Sequence, residues 1–124
     1  MKKNFFKNSF GNEILFSKKE YLDRVKKVKL KMSKNNIDVL LVASPANQFY
    51  LTGYDGWSFY TPQMVLISLS EKYPYWIGRK MDAVGAKFTA FLDKDNIVPY
   101  PDHYVASQKI HPMDYLVDFI KSKK

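Results

Sequence analysis

Apolar residues recur at helical spacing in four stretches of the chain, and several stretches carry start or stop signals. The predicted helices span residues 17–35, 44–53, 80–91 and 111–120. Ser17 and Glu20 form a capping box, in which each side chain bonds the other residue's backbone amide. Pro45 suits the first position of the second helix, and Gly53 suits its end. The third helix is predicted from Met81, Val84, Phe88 and Phe91.

Short apolar runs between these helices predict strands at residues 37–43, 64–69, 73–77 and 96–100. The first run is rich in β-branched and aliphatic residues, which is typical of a buried, parallel strand. The third run should pair with the second as a hairpin, and its Pro74 favours an edge position. A strand, a tight turn and a helix so early in the chain favour a doubly wound α/β sheet.

Residues 1–16 differ from the rest because their large apolar side chains follow no regular period. These are Phe5, Phe6, Phe10, Ile14, Leu15 and Phe16. We predict an N-terminal arm that packs its aromatics on the body of the domain or on a partner. Residues 17–124 have a length that suits one domain with one core. The whole chain is 46% hydrophobic and 26% charged, as in an ordinary soluble protein.

The net charge of +8 comes from lysines at both chain ends and along residues 18–34. In that stretch they fall on the polar side of the predicted helix, which indicates a solvated face. A nucleic-acid surface would combine arginines with aromatic platforms, and here the aromatics lie away from the lysines. We therefore expect no nucleic-acid partner. The chain has no cysteine and no apolar run of membrane-spanning length, so we expect a cytoplasmic protein without membrane contact.

Several kinds of catalytic site are missing from the sequence. It contains no glycine-rich phosphate loop and no Gly-x-Ser-x-Gly elbow. The strongest metal-site candidate combines Asp102 and His103 with His111 and Asp114. Pro112 makes His111 a helix-entry residue, which favours solvated loop histidines over metal ligands. We therefore expect neither catalytic residues nor a metal site in this chain.

The segment from Leu51 to Gln63 stands out by its composition. Four aromatics fall within seven residues: Tyr54, Trp57, Phe59 and Tyr60. Two glycines and a proline mark the segment as a loop. Clustered aromatics are costly to expose. The loop therefore either caps the sheet as a folded cluster or forms a wall that closes over a ligand or a neighbouring chain.

Three sequence blocks carry a family resemblance. Residues 44–53 read Ser-Pro-Ala-Asn-Gln-Phe-Tyr-Leu-Thr-Gly and continue into the aromatic loop, and the other blocks are residues 78–83 and 100–105. The first block resembles the creatinase, prolidase and Xaa-Pro aminopeptidase family. The three blocks in order are most similar to the ectoine hydrolase branch, which opens the ring of ectoine or hydroxyectoine. The resemblance covers about residues 14–122.

This resemblance implies a three-layer α/β amino-terminal domain with a ribonuclease-H-like mixed sheet flanked by helices. In the family, this domain precedes a catalytic domain of pita-bread fold that carries the acid/base histidines. The chain stops before that domain, so we expect it to be inactive alone. Any divalent metal pair is expected in the missing catalytic domain, and no cofactor is expected in this chain.

The resemblance also implies a homodimer in which the loop of one subunit reaches the active site of the other. The aromatics Trp57, Phe59 and Tyr60 are then candidates for a wall against a small cyclic amidinium substrate, because ring faces attract delocalised cations. Asp55 and Gln63 are polar candidates. Arg79 is a further candidate, although a local pair with Asp82 or an anchor against the loop are its alternatives.

Two other functions remain open from the sequence. The chain is alternatively the amino-terminal domain of an Xaa-Pro dipeptidase or aminopeptidase, whose catalytic domain would need a metal pair. It is otherwise a stand-alone binding module that kept the fold and lost the enzyme. The sequence downstream of Lys124 would separate these hypotheses.

Overall fold

The computed structural model describes residues 6–58 and 60–123, which form four α-helices and six β-strands. The helices are α1 (Lys18–Lys34), α2 (Pro45–Thr52), α3 (Ala83–Thr89) and α4 (Pro112–Ser122). The strands are β1 (Phe6–Lys7), β2 (Glu13–Ile14), β3 (Val39–Val42), β4 (Met64–Ser68), β5 (Tyr75–Arg79) and β6 (Ile97–Tyr100). Short 3₁₀ turns occupy Lys80–Asp82, Lys94–Asn96 and Asp102–Tyr104.

A mixed sheet with the strand order β3-β4-β5-β6 forms the centre of the fold. Neighbouring strands are antiparallel except β5 and β6, which are parallel. Because side chains alternate along a strand, each face of the sheet builds its own core. One core joins the sheet to α1, α2 and α3, and the other joins it to α4. This confirms the predicted three-layer mixed α/β fold.

The prediction that the first core strand is buried and parallel was wrong. β3 is an edge strand and runs antiparallel to β4. An apolar run cannot reveal whether a helix covers both of its faces, and the α4-side core does not extend over β3. The parallel order of a doubly wound sheet is confined to β5 and β6, which α3 connects.

The edge position predicted from Pro74 was also wrong, because β5 lies between β4 and β6. Pro74 is buried just before the strand begins, where it interrupts no ladder bond. Its carbonyl oxygen accepts a 3.1 Å hydrogen bond from Nδ2 of Asn96. The proline therefore shapes the entry into a central strand.

The starts of α1 and α4 follow the predicted signals with one difference, whereas Ser44 before α2 makes no side-chain cap bond. Ser17 Oγ accepts a 3.1 Å hydrogen bond from the amide of Glu20. The Glu20 carboxylate pairs with Arg24 instead of completing the capping box. At α4 the box is complete: His111 Nδ1 accepts from the amide of Met113, and Asp114 accepts from the amide of His111. His111 is thus a helix-entry residue, as predicted.

The pattern that predicted α3 identified its outer face and not its core face. Within the helix only the small residues Ala83 and Ala86 are buried, and Phe91, the fourth residue of the pattern, is buried just after the helix ends. The larger apolar side chains remain exposed, namely Met81, Val84 and Phe88. Helical spacing alone therefore predicted the element but not its orientation.

The described part of the arm forms a hairpin of β1 and β2 that is held by a polar side chain. Asn8 Nδ2 donates hydrogen bonds of 2.8 Å to the carbonyl oxygens of Lys87 and Ala90. Ile14 is the arm residue that enters the core. The arm's described aromatics keep about two-fifths of their surface exposed, namely Phe6, Phe10 and Phe16. Phe5 lies outside the described residues.

α1 has a buried apolar side and an exposed side rich in lysine. Tyr21, Val25 and Met32 form the buried side of α1, and most of its lysines are exposed as predicted. None of the helices in the described residues is long and apolar enough to cross a membrane.

Candidate functional site

The aromatic loop lies at the end of the sheet where β4 begins and the parallel strands β5 and β6 end. Met64 pairs with Ile77 there, and Arg79 pairs with Tyr100. The carboxyl ends of parallel strands are a common location for ligand sites in α/β sheets. The loop divides into two parts. The loop root comprises Thr52, Gly53, Tyr54, Thr61 and Gln63, and the loop tip comprises Asp55, Trp57 and Tyr60.

The first half of the root turns the chain away from α2. Gly53 adopts φ +83°, a left-handed conformation that favours glycine. A Cβ at this position would lie 2.7 Å from Oη of Tyr21 and 2.8 Å from the carbonyl oxygen of Thr89. Thr52 Oγ1 donates to the carbonyl of Gln48 at 2.8 Å and accepts from the amide of Tyr54 at 3.1 Å. The direction in which the loop leaves α2 is therefore fixed by close packing and by hydrogen bonds.

Tyr54 forms the centre of the root. Its ring is buried and packs on Trp76, with 5.3 Å between the ring centroids. Its Oη donates a 3.1 Å hydrogen bond to Gln63 Oε1. Gln63 Nε2 in turn donates to Asp82 Oδ2 at 3.2 Å. Burial raises the pKa of the Tyr54 hydroxyl. A chain of side-chain bonds thus connects both ends of the loop to the 3₁₀ turn before α3.

The last residues of the loop are bound to two neighbouring elements. Tyr100 Oη donates a 2.7 Å hydrogen bond to the carbonyl oxygen of Pro62. Gln48 Nε2 donates to the carbonyl oxygen of Gln63 at 3.0 Å. Within the loop, Ser58 Oγ and Thr61 Oγ1 are hydrogen-bonded at 2.7 Å. The sheet and α2 therefore both position the segment that leads into β4.

The loop tip is exposed in spite of its aromatic residues. Trp57 is 67% exposed and Tyr60 is 57% exposed, and the side chain of Asp55 also lies at the surface. The amide of Asp55 donates a 3.0 Å hydrogen bond to Thr89 Oγ1, which holds the start of the tip beside α3. A surface of this kind can cover an apolar or cationic ligand with ring faces and can offer it one carboxylate.

Arg79 joins the tip to the end of the sheet. Its Nη1 donates a 2.7 Å hydrogen bond to Tyr60 Oη, and its Nε donates to Asp102 Oδ1 at 3.1 Å. The bond to Asp102 raises the pKa of the Arg79 guanidinium, which stays cationic. The local pair with Asp82, one of the two alternatives for Arg79, does not form, because the guanidinium pairs with Asp102. The alternative role, an anchor against the loop, agrees with these contacts.

The structure brings some of the predicted site residues together and separates others. Arg79 and Tyr60 are in direct contact. Gln63 is buried and uses its side-chain amide within the root. Asp55 and Trp57 lie at the surface of the tip, and Phe59 lies outside the described residues. Contact of these residues with a substrate stays a prediction.

Sequence reasoning missed Tyr100, which supports the loop directly, and Asp102, which supports it through Arg79. Both lie in the sequence block at residues 100–105, but nothing local indicated that Tyr100 bonds to Pro62, 38 residues upstream, or that Asp102 bonds to Arg79, 23 residues upstream. No metal centre is apparent: in the parts of the chain that the structure describes, no three His, Asp or Glu side chains form a cluster. The rings of His103 and Tyr104 are tilted by 37° with 4.7 Å between their centroids, and His111 caps α4.

Comparison with protein families and curated sequences gives consistent matches. The family described as Creatinase/Prolidase N-terminal domain matches residues 24–123. An ectoine hydrolase of Halomonas elongata is 52% identical over 105 residues, which cover 85% of this chain and 26% of that protein. The uncharacterized hydrolase/peptidase y4tM of Sinorhizobium fredii is 45% identical over 105 residues, covering 85% of this chain and 27% of that protein. The chain thus spans about a quarter of the length of these relatives.

Solved structures show the same fold at low sequence identity. The N-terminal domain of an Xaa-Pro dipeptidase from Lactobacillus brevis has a TM-score of 0.64 at 13% identity, covering 81% of this chain and 68% of that one. A proline dipeptidase from Streptococcus pneumoniae has a TM-score of 0.62 at 16% identity, covering 77% of this chain and 64% of that one. These two likenesses support the architecture and carry no information on substrate.

Proposed function

Because the chain belongs to the Creatinase/Prolidase N-terminal domain family, we propose that it is the non-catalytic domain of an ectoine-hydrolase-like enzyme. Its loop tip forms one wall of the substrate site. The observation that carries this proposal is an exposed pair of aromatics, Trp57 and Tyr60, on a root held by buried contacts. The identity of 52% to an ectoine hydrolase supports the choice of substrate class.

The structure of the loop suits a wall that does not have to reorganise on binding. Tyr54 and Gln63 bond to each other in the root, and Arg79 bonds to Tyr60 of the tip, so little conformational entropy is lost when a ligand is covered. A cyclic amidinium is flat and cationic, which matches the ring face of Trp57. The Asp55 carboxylate provides a countercharge at the same surface.

The bond-breaking residues belong to a different part of the enzyme in this proposal. The relatives are about four times as long as the matched segment, which leaves room for a catalytic domain. We assign the acid/base groups, and any divalent metal pair, to that domain. We also place the loop tip across a homodimer, where it closes the substrate site of the partner subunit.

The test is kinetic and uses the full-length enzyme with ectoine as substrate. Trp57→Ala is expected to lower kcat/KM by about 10- to 100-fold, because a ring-face contact and its buried surface are lost. Leu30→Ala is the matched control, since Leu30 is also a large exposed side chain but lies on α1. Unchanged kinetics together with a lower melting temperature would assign Trp57 to packing and contradict the proposal.

The same experiment separates the two alternatives. Turnover of Xaa-Pro dipeptides without turnover of ectoine would identify a dipeptidase, the function in the names of several structures with the same fold. Ligand binding by the 124-residue chain, without any partner domain, would favour the stand-alone module.

A further inference from the structure

Arg79 is the residue at which three distant segments of the chain meet. Its guanidinium lies between Tyr60, 19 residues upstream, and Asp102, 23 residues downstream. The Arg79 side chain is 21% exposed, whereas that of Asp102 is 63% exposed. The arginine is therefore largely covered by the domain, and it connects two residues that both lie at the surface.

Arg79 bonds its two partners through different nitrogens. Nε donates to Asp102 Oδ1 at 3.1 Å, and Nη1 donates to Tyr60 Oη at 2.7 Å. A guanidinium is planar, so its N–H groups keep fixed directions relative to one another. Once Nε is bound to the carboxylate, the direction in which Nη1 points is restricted as well. The bond to Asp102 therefore helps to set the direction of the bond to Tyr60.

The backbone on both sides of this ion pair is held by the fold. Arg79 is paired with Tyr100 in the parallel ladder of β5 and β6, two residues before Asp102. The carbonyl oxygen of Asp102 accepts a 2.9 Å hydrogen bond that closes the 3₁₀ turn after β6. Tyr104 of the same turn packs on Tyr115 of α4, with 5.4 Å between the ring centroids. The carboxylate therefore projects from a turn that is fixed to the sheet and to α4.

This network is expected to act on the orientation of Tyr60 and not on the stability of the fold. Exposed ion pairs contribute little to the free energy of unfolding, and Asp102 is mostly exposed. A side chain that is ordered before a ligand arrives loses less entropy when the ligand binds. The bond from Arg79 provides such ordering, because it fixes the hydroxyl end of an exposed ring.

We propose that Asp102 is a positioning residue: it orients Arg79, which in turn holds Tyr60 of the loop tip in place for the ligand. This inference rests on the proposed role of the tip as a wall of the substrate site. Asp102 acts on that wall at one remove, through two successive hydrogen bonds. A wall that contacts the ligand equally in the ground state and the transition state affects KM and leaves kcat nearly unchanged.

The geometry is tested by NMR of the 124-residue chain labelled with ¹³C at the tyrosine ζ carbon, whose chemical shift responds to hydrogen bonding of the hydroxyl. The Tyr60 signal is the one that Tyr60→Phe removes. Asp102→Ala should displace it and leave the Tyr54 signal in place. Asp95→Ala is the matched control, an exposed aspartate just before β6, and should displace neither. An unchanged Tyr60 signal in Asp102→Ala overturns the proposal.

The consequence for the ligand is tested by kinetics of the full-length enzyme with ectoine. Asp102→Ala should raise KM by about 3- to 10-fold and change kcat by less than about twofold, with a melting temperature within about 2 °C of the wild type. Asp102→Asn keeps an oxygen acceptor of the same shape and should restore most of the wild-type KM. Arg79→Lys gives an independent test if Asp102→Ala does not fold, because an ammonium lacks the fixed fork and should raise KM similarly.

A double-mutant cycle shows whether Asp102 acts through Tyr60. Tyr60→Phe keeps the ring and removes the acceptor of the Arg79 bond, so Asp102→Ala should raise KM no further in that background. Full additivity of the two effects overturns the proposal. If Trp57→Ala and Tyr60→Phe both leave the kinetics unchanged, the tip is not a substrate wall and the proposed function fails. The tyrosine NMR signal then still decides whether Asp102 orients Tyr60.

Discussion

The root and the tip of the aromatic loop have similar residues but different surroundings. Tyr54 in the root is 3% exposed, whereas Tyr60 in the tip is 57% exposed, only six residues later. Tyr54 packs on Trp76 and bonds to Gln63, both of which belong to the domain interior. Tyr60 accepts a hydrogen bond from Arg79, at the rim of the sheet. Burial in this loop is therefore decided by the elements beneath it and not by its composition.

This difference explains how a loop can be both exposed and well positioned. Hydrogen bonds fix the root to three elements. Thr52 bonds within α2, Tyr100 of β6 bonds to Pro62, and Asp82 of the 3₁₀ turn before α3 bonds to Gln63. The tip then presents aromatic surface without needing a core of its own. We therefore expect substitutions in the root to lower the free energy of unfolding and substitutions in the tip to weaken ligand contact.

The largest effect is expected from Gly53→Ala. The new Cβ meets a backbone oxygen of Thr89 at 2.8 Å, in addition to the strain of φ +83°. We expect a loss of about 3 kcal/mol in the free energy of unfolding, measured by urea denaturation. Gly11→Ala is the matched control, since Gly11 has φ +81° but no neighbouring atom within 4 Å.

The control should lose only about 1 kcal/mol, the contribution of the backbone conformation alone. The difference between the two alanine variants then measures the close approach of the root to α3. Equal losses at both positions would mean that the root is not closely packed, and the contrast with the tip would disappear.

A smaller effect is expected from removing the buried hydroxyl of the root. Tyr54→Phe leaves Gln63 Oε1 buried without its donor, which should reduce the free energy of unfolding by about 1–2 kcal/mol. Tyr60→Phe deletes the corresponding hydroxyl in the tip, where water can replace it, and should change stability by less than about 0.5 kcal/mol. A reversed order of the two values, again from urea denaturation, would contradict the division into root and tip.

The sequence was sufficient to predict where most elements lie, because their signals are local. Ser44-Pro45 and Gly53 mark the ends of α2, and His111-Pro112 marks the start of α4. The glycines and proline also identified the aromatic segment as a loop. Family resemblance supplied the mixed sheet, which these local signals did not specify.

What could not be predicted depends on contacts between distant parts of the chain. Arg79 finds its acidic partner in Asp102, which lies 23 residues away, and not in the nearby Asp82. The spacing of Val84 and Phe88 indicated a core face, yet the alanines on the other side of α3 are buried. Small residues suit this side because two segments approach the helix closely: Asn8 of the β1–β2 hairpin bonds to Lys87, and Gly53 of the loop root lies against Thr89. Periodicity contains no information on how close a neighbour comes.

The smallest effect we predict is a change in the pH dependence of stability. Burial raises the folded-state pKa of Tyr54 above its ordinary value of 10.0. The stabilisation from the neutral hydroxyl is therefore fully present below pH 10 and is lost as the pH rises through the folded-state pKa. Between about pH 9.5 and 11, Tyr54→Phe should lose stability less steeply than the wild type.

Comparing the two slopes isolates Tyr54 from other titrating groups. Tyr21 and Tyr100 have raised pKa values that act in the same direction, and desolvation lowers the pKa of Lys29, which acts in the opposite direction. All three are present in both proteins and cancel in the difference. If Tyr54→Phe keeps the wild-type slope, the root hydroxyl titrates as freely as one in water, and the burial that separates root from tip is absent in solution.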